Sequence, residues 1–215
     1  MSKNEPLTIL KNGQAEFTVQ RSRFIAYAAA VRDEEEARAF IARLRKEHYD
    51  ARHCCSAWIL GADGAKQKSS DDGEPGGTAG MPILEVMKRR GLTDAAVAVV
   101  RYFGGIKLGA GGLVRAYSHA ASIGIDAATL ARRVTLRRLD VTVSYDLLSA
   151  VERWARQKNL RTGEAVYAEN VALPIFVEPE ACDAAKKELA DLTSAKAVVE
   201  DGDEVELLEP VEAAE

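Results

Sequence analysis

Between Arg52 and Tyr117 a series of apolar runs is interrupted by two stretches too rich in glycine to be packed core. The first reads Ser69-Ser70-Asp71-Asp72-Gly73-Glu74-Pro75-Gly76-Gly77-Thr78-Ala79-Gly80. The second reads Arg101-Tyr102-Phe103-Gly104-Gly105-Ile106-Lys107-Leu108-Gly109-Ala110-Gly111-Gly112. Glycine is costly to order and is kept where the backbone needs positive φ or a close approach. Such density predicts loops of fixed shape, not slack linkers. The apolar runs around them are then the strands and helices that hold those loops.

A chain of 215 residues has room for two small domains or one large one. Its 47% hydrophobic and 29% charged residues are ordinary for a soluble globular protein. No run reaches the roughly 18 apolar residues of a membrane helix. No apolar signal core follows Met1-Ser2-Lys3-Asn4-Glu5-Pro6. The three cysteines, two of them the neighbours Cys54 and Cys55, make no disulfide framework and lack the paired spacing of a zinc site. The expected location is therefore cytoplasmic. Net charge is −4, which alone argues against nucleic-acid binding, but the halves differ. Residues 1–135 carry 20 Lys+Arg against 15 Asp+Glu, and residues 136–215 carry 9 against 18. A basic face on the first half and a solvating second half fit this asymmetry.

In chain order, Leu7–Leu10 and Phe17–Val19 flank Lys11-Asn12-Gly13-Gln14, an Asn-Gly signal for a hairpin. Phe24–Val31 continues as a strand. Asp33 is placed to cap a helix with Glu34, Glu35 and Glu36 in its first turn, Ala37, Phe40, Ile41 and Leu44 on its inner face, and Arg43, Arg45 and Lys46 at its end. Cys55–Leu60 reads as a buried strand. Pro82 opens a helix over Ile83–Arg90. The valine-rich Ala95–Val100 reads as a central strand. A long helix is expected from about Gly112 to Arg133, with Leu113, Ala116, Ala120, Ile123, Ala127 and Leu130 inward. From there the pattern becomes β-α-β-β-α-β: strand Leu139–Ser144, helix Leu147–Lys158, strands Thr162–Ala168 and Val171–Val177, helix Pro179–Leu192, strand Ala197–Leu208. The fold class expected is α+β, with a domain over 1–135 and a ferredoxin-like domain with an acidic tail over 136–215.

Two constellations could carry chemistry. The second glycine loop lies between a strand and a helix, the setting of an anion cradle built from backbone N–H groups and the positive end of the helix dipole. Lys107 lies within it, Arg101 at the strand end and Arg115 in the first helical turn. Neither nucleotide fingerprint fits: Gly109-Ala110-Gly111 is followed by Gly112-Leu113-Val114, and no Lys follows Gly109. Asp71, Asp72 and Glu74 could hold a hard cation, or could fix the loop by pairing with Arg52, Arg101 or Lys107. His53 and Cys55 point to one face of their strand, but the apolar Trp58 and Ile59 beside them favour a packed cysteine over a nucleophile. His119 reads as a helix-face residue. No Ser-His-Asp order with a nucleophile elbow is present.

These residues resemble the IMPACT/YigZ family. The resemblance runs through Arg21-Ser22-Arg23-Phe24-Ile25, Ala51-Arg52-His53 with Cys55, Ala57 and Trp58, and Ser70-Asp71-Asp72-Gly73-Glu74-Pro75 with Gly77-Thr78-Ala79-Gly80 and Pro82. It ends in Val100–Gly109 and Gly111–Tyr117, with a weaker signal over 138–208. It implies an N-terminal domain like the second domain of ribosomal protein S-five and a C-terminal ferredoxin-like domain similar to the last domain of translocating elongation factors. Eukaryotic relatives regulate translation initiation by competing for an activator of an initiation-factor kinase, largely through an additional N-terminal domain. This chain begins at its first expected hairpin, so that mechanism is not carried over.

The reading that follows is a cytoplasmic, non-enzymatic, translation-associated regulator binding RNA or the ribosome. Its contacts would be Arg23, Arg52, Arg101, Lys107 and Arg115, assisted by the backbone of Gly104, Gly105, Gly109, Gly111 and Gly112. No cofactor and no membrane is called for. The rival is a metal-dependent enzyme on a phosphorylated small molecule or nucleotide, with Asp71, Asp72 or Glu74 as ligands.

Overall fold

The computed structural model describes residues 6–211. The chain is mixed α/β and forms two compact units: one runs to Arg133 and takes in the end from Leu208, the other is Val134–Leu207. The first unit contains β1 (Leu7–Lys11), β2 (Gly13–Val19), β3 (Ser22–Ala30), α1 (Glu34–Glu47), β4 (His53–Leu60), β5 (Lys66–Ser70), α2 (Gly80–Arg89), β6 (Ala95–Tyr102) and α3 (Gly109–Asp126). Strand β7 (Thr129–Val143) begins there and runs on into the second unit.

Strands β2-β3-β6-β4-β5 make an antiparallel sheet in that order. The apolar run of β6 lies at its centre, as its composition predicts, because both faces are covered. Ala96, Ala98 and Val100 join Cys54, Trp58 and Leu60 of β4 against Ala37, Phe40 and Leu44 of α1. Ala95, Val97 and Val99 join Cys55, Ala57 and Ile59 against Ile83 and Met87 of α2 and Leu113, Tyr117 and Ala120 of α3. The two-residue period of a strand thus divides one hydrophobic run between two cores. Helix α1 forms where its signals placed it, with the Asp33 carboxylate accepting from Glu36 N at 2.8 Å. Helix α2 begins two residues earlier than expected, at Gly80, so Pro82 occupies its third position.

The expected Asn-Gly hairpin does not form. Strand β1 pairs with the start of β7, Leu7 opposite Arg132 and Ile9 opposite Leu130, while β2 pairs with β3. Gly13 serves a close approach instead: a Cβ there would lie 2.4 Å from the Gly124 carbonyl oxygen at the end of α3. The two-residue hairpin is the Gln20-Arg21 turn between β2 and β3, with φ of 44° and 61°. That both-positive geometry matches the twist of the flanking strands without any glycine. The long helix also differs from expectation. It starts at Gly109, not Gly112, and stops at Asp126. Leu130 and Arg133, expected to be helical, lie on β7, whose Thr129, Val134 and Thr135 favour an extended chain.

The second unit continues with α4 (Tyr145–Gln157), β8 (Arg161–Thr162), β9 (Val166–Tyr167), β10 (Val171–Val177), a 3-10 turn at Pro179–Ala181, α5 (Cys182–Thr193) and β11 (Val198–Pro210). Strand β7 pairs with β10, Val143 opposite Val171, and with β11. One face of these strands is apolar: Leu139, Val141, Val143, Leu173, Ile175 and Val177 pack on Val151 and Trp154 of α4 and Ala185 and Leu189 of α5. The strand expected over Thr162–Ala168 is broken into β8 and β9. Pro174 of β10 has no N–H to donate midway along that edge, and pairing stops on either side of it. Among the described residues no helix is long and apolar enough to cross a membrane.

Candidate functional site

The two glycine loops meet. Register places His53, the first residue of β4, opposite Arg101 near the end of β6, and Arg101 opposite Phe24 near the start of β3. These strand ends and the N-terminus of α3 surround a cleft of about 420 Å³. Glu74 and Pro75 line it from the first loop, Phe103, Lys107, Leu108 and Gly109 from the second, and Arg52, His53 and Arg101 from the sheet.

A buried polar cluster holds the loops together. The Glu74 carboxylate accepts from Arg101 Nη1 at 2.6 Å and from the Tyr117 hydroxyl at 2.8 Å, both through Oε1. The Glu74 and Arg101 side chains are 4% and 6% exposed. Ser22 Oγ, fully buried, accepts from Arg101 Nη2 at 3.4 Å and from Gly104 N at 3.2 Å. The Arg101 guanidinium lies 5.4 Å from the Phe24 ring centroid and 5.5 Å from that of Phe103. Burial pushes the Tyr117 hydroxyl far up, so at neutral pH it stays protonated and donates to Glu74. Arg101 therefore acts inside the protein, neutralised by Glu74, and is not a free contact for an anion. Tyr117 and Ser22 were not singled out as site residues in the sequence; the only signal was their place in the stretches that carry the family resemblance.

The other acids are likewise engaged. Asp71 accepts from the backbone N–H of Gly77 at 2.8 Å, Ala79 at 3.0 Å and Gly80 at 2.8 Å, and so caps α2 from nine residues upstream of its first residue. Asp72 accepts from Arg45 Nη2 at 2.5 Å and from Cys54 N at 2.7 Å, tying the loop to α1 and β4. Of the two roles considered for Asp71, Asp72 and Glu74, their contacts are those of loop fixing. Among the described residues no group of His, Cys, Asp or Glu is arranged to hold a metal ion.

Burial pushes the Asp71 carboxyl up, but the N–H groups of Gly77, Gly80 and Ala79 outweigh this and hold it below the ordinary range. A depressed folded value contributes stability that is complete above the unfolded value of about 3.9 and is lost as pH falls through the folded one. Asp71→Ala is expected to cost about 1–2 kcal/mol at neutral pH, as loss of a helix cap does. Its urea midpoint should also change less than the parent's between about pH 5 and pH 2. Superimposable pH profiles would refute this role.

His53 and Cys55 do not form a nucleophilic pair. His53 Nδ1 is hydrogen-bonded to the Asp72 carbonyl at 2.8 Å, and the fully buried Cys55 thiol donates to the Asp71 carbonyl at 2.9 Å. Burial pushes the Cys55 thiol far up and that of Cys54 to about 11, so neither is a thiolate at neutral pH. His119 packs edge-on against Phe17 as a helix-face residue.

Of the expected binding residues, Arg52, Arg101, Lys107 and Gly109 line the cleft, and Phe103, not singled out before, joins them. Arg52 and Lys107 are exposed, and among the described residues neither has an ion pair. Helix α3 has no side-chain cap at Leu108, which leaves its first N–H groups without a side-chain partner there. Gly104 and Gly105 shape the loop without lining the cleft. Gly111 and Gly112 lie in the first turn of α3, also away from it. Arg115 is six residues past Gly109, about 240° round the helix, and borders a separate depression with Phe17 and His119. Arg23 pairs with Glu16 at 2.5 Å on exposed surface. Arg23 and Arg115 therefore do not share the cleft with Arg52 and Lys107.

Residues 20–125 match the Impact N-terminal domain, and residues 141–196 match a domain of unknown function, DUF1949. The chain is 39% identical over 196 residues to the Bacillus subtilis IMPACT family member YvyE, covering 91% of this chain and 90% of that protein. It is 39% identical over 149 residues to the Escherichia coli IMPACT family member YigZ, covering 68% and 70%. The Saccharomyces cerevisiae protein IMPACT homolog is 36% identical over 97 residues, which are 43% of this chain and 37% of that protein. A crystal structure described as that of an hypothetical protein superposes with a TM-score of 0.59 at 32% identity, covering 91% of this chain and 96% of that one.

Proposed function

This chain belongs to the IMPACT family, and from that premise we propose that it is a cytoplasmic, translation-associated regulatory protein that binds RNA or the ribosome through the cleft between its glycine loops. We also propose that its first unit is like the second domain of ribosomal protein S-five and its second unit ferredoxin-like. The element order from β7 to β11 supports the latter, with β8 and β9 counted as one interrupted strand. The observation that carries the binding proposal is the presence in one cleft of two cations without ion pairs among the described residues, Arg52 and Lys107, beside the start of α3, which has no side-chain cap. Cations and helix-end N–H groups together favour phosphate. The internal hydrogen bonds of Asp71, Asp72 and Glu74 favour this reading over the rival enzyme, which would use the same acids as metal ligands.

The test is fluorescence anisotropy with a labelled RNA across about 50–200 mM salt, where phosphate-driven affinity falls steeply. Arg52→Ala with Lys107→Ala should weaken binding for all sequences alike and reduce the salt slope by about one unit per cation removed. Arg115→Ala should leave both unchanged. No RNA affinity at the lowest salt, or a double variant that behaves like the parent, would remove the proposal.

A further inference from the structure

We infer that the cleft accepts a single unstacked nucleotide of an RNA strand, its base laid on Phe103 and its phosphate held by Arg52, Lys107 and the first turn of α3. This rests on the RNA-binding reading above and narrows it to single strands. Phe103 is the aromatic ring on the cleft wall and is 45% exposed. The cleft is lined mainly by apolar surface with a few charged groups, the mix expected of a ligand site, and Phe103 is part of that apolar lining. It is also held in place: the Arg101 guanidinium lies 5.5 Å from its centroid, and Arg101 is itself fixed by Glu74 and Ser22. A ring already anchored through a buried cation loses little freedom when a base stacks on it.

Size and chemistry point the same way. About 420 Å³ has room for a nucleotide and none for a duplex. The apolar Leu108, Leu113 and Pro75 line the same cleft as the ring, and its cations without ion pairs among the described residues are Arg52 and Lys107. That pairing of a stacking surface with phosphate-binding groups is how single strands are held without sequence readout. In a duplex the bases are stacked on one another and only phosphates and groove edges are offered.

The experiment compares a labelled single-stranded oligouridylate with a duplex of equal length at one salt concentration. The single strand should bind at least about tenfold tighter. Phe103→Leu should lose about tenfold on the single strand, lose nothing on the duplex, and leave the salt slope unchanged. Phe103→Trp keeps a ring, so it tests stacking even where the leucine variant folds poorly. Its new exposed indole should be quenched by the single strand and not by the duplex. Equal affinity for both RNAs, or an unquenched indole at saturating single strand, would overturn this inference while leaving RNA binding intact. Absence of binding to either RNA would overturn both.

Discussion

Glu74→Ala is expected to destabilise the first unit by about 3–5 kcal/mol, the usual cost of removing one partner from a buried ion pair. The carboxylate is 4% exposed and its Oε1 serves two donors, Arg101 Nη1 and the Tyr117 hydroxyl. Its removal strands a guanidinium that burial gives no water to replace it with, and a phenol that stays protonated. Desolvation of an unpaired charge exceeds the worth of the pair itself, so the loss is larger than any surface pair would show. The urea midpoint, followed by circular dichroism, should fall with little change in slope. Replacing both partners, Glu74→Leu with Arg101→Met, should recover most of the loss, since an apolar pair of similar volume carries no uncompensated charge. A single variant that costs under about 1 kcal/mol would mean the cluster is solvated and does not staple the loops.

Gly104→Ala is expected to be the most damaging small substitution in the second loop. A Cβ at this position would lie 2.0 Å from both the carbonyl carbon and the oxygen of Arg21. The obstacle is backbone, in the tight Gln20-Arg21 turn, so no side chain can swing aside. Either the turn or the loop must move, at a cost of about 3 kcal/mol as in severe overpacking. The neighbouring Gly105 supplies a contrast. A Cβ there meets nothing within 4 Å, but its φ is +86°. Gly105→Ala should therefore cost only about 1–2 kcal/mol, the strain of a positive φ in an L-residue. The order of the two melting temperatures checks the argument; Gly105→Ala being the less stable would sink it. Because Gly104 N also donates to Ser22 Oγ, the first variant should weaken RNA binding as well.

Local signals were legible where local chemistry decides the outcome. Asp33 with three glutamates behind it fixed the start of α1, and the unbroken apolar run of Ala95–Val100 fixed a central strand. The signal failed where distant packing decides. Asn12-Gly13 reads as a turn, but Gly13 is needed for the end of α3, more than a hundred residues away. The inner stripe of α3 continues in helical spacing through Ala127 to Leu130, yet the chain is already extended at Thr129 because β1 recruits it there, Lys11 opposite Thr129 and Ile9 opposite Leu130. At the site, a contact between the loops was foreshadowed only by the possible pairing of the first loop's acids with nearby cations, which Glu74 and Arg101 make. What each cation does there was not legible. Glu74 and Arg101 are 27 residues apart, and no spacing rule distinguishes the arginine that is neutralised inside from Arg52, which is not. Arg115 was misplaced for a simpler reason. Its grouping with Lys107 relied on nearness in sequence, and a start at Gly109 turns it to another side of the helix.

The division of β6 between two cores constrains how this protein can change over time. Its odd-numbered side chains belong to one helical layer and its even-numbered ones to the other. Losing or gaining one codon anywhere in the strand would exchange the two sets beyond that point and spoil both layers at once. Descendants can therefore swap alanines and valines there but cannot alter the count, so length variation must collect in connecting segments such as the one between β4 and β5.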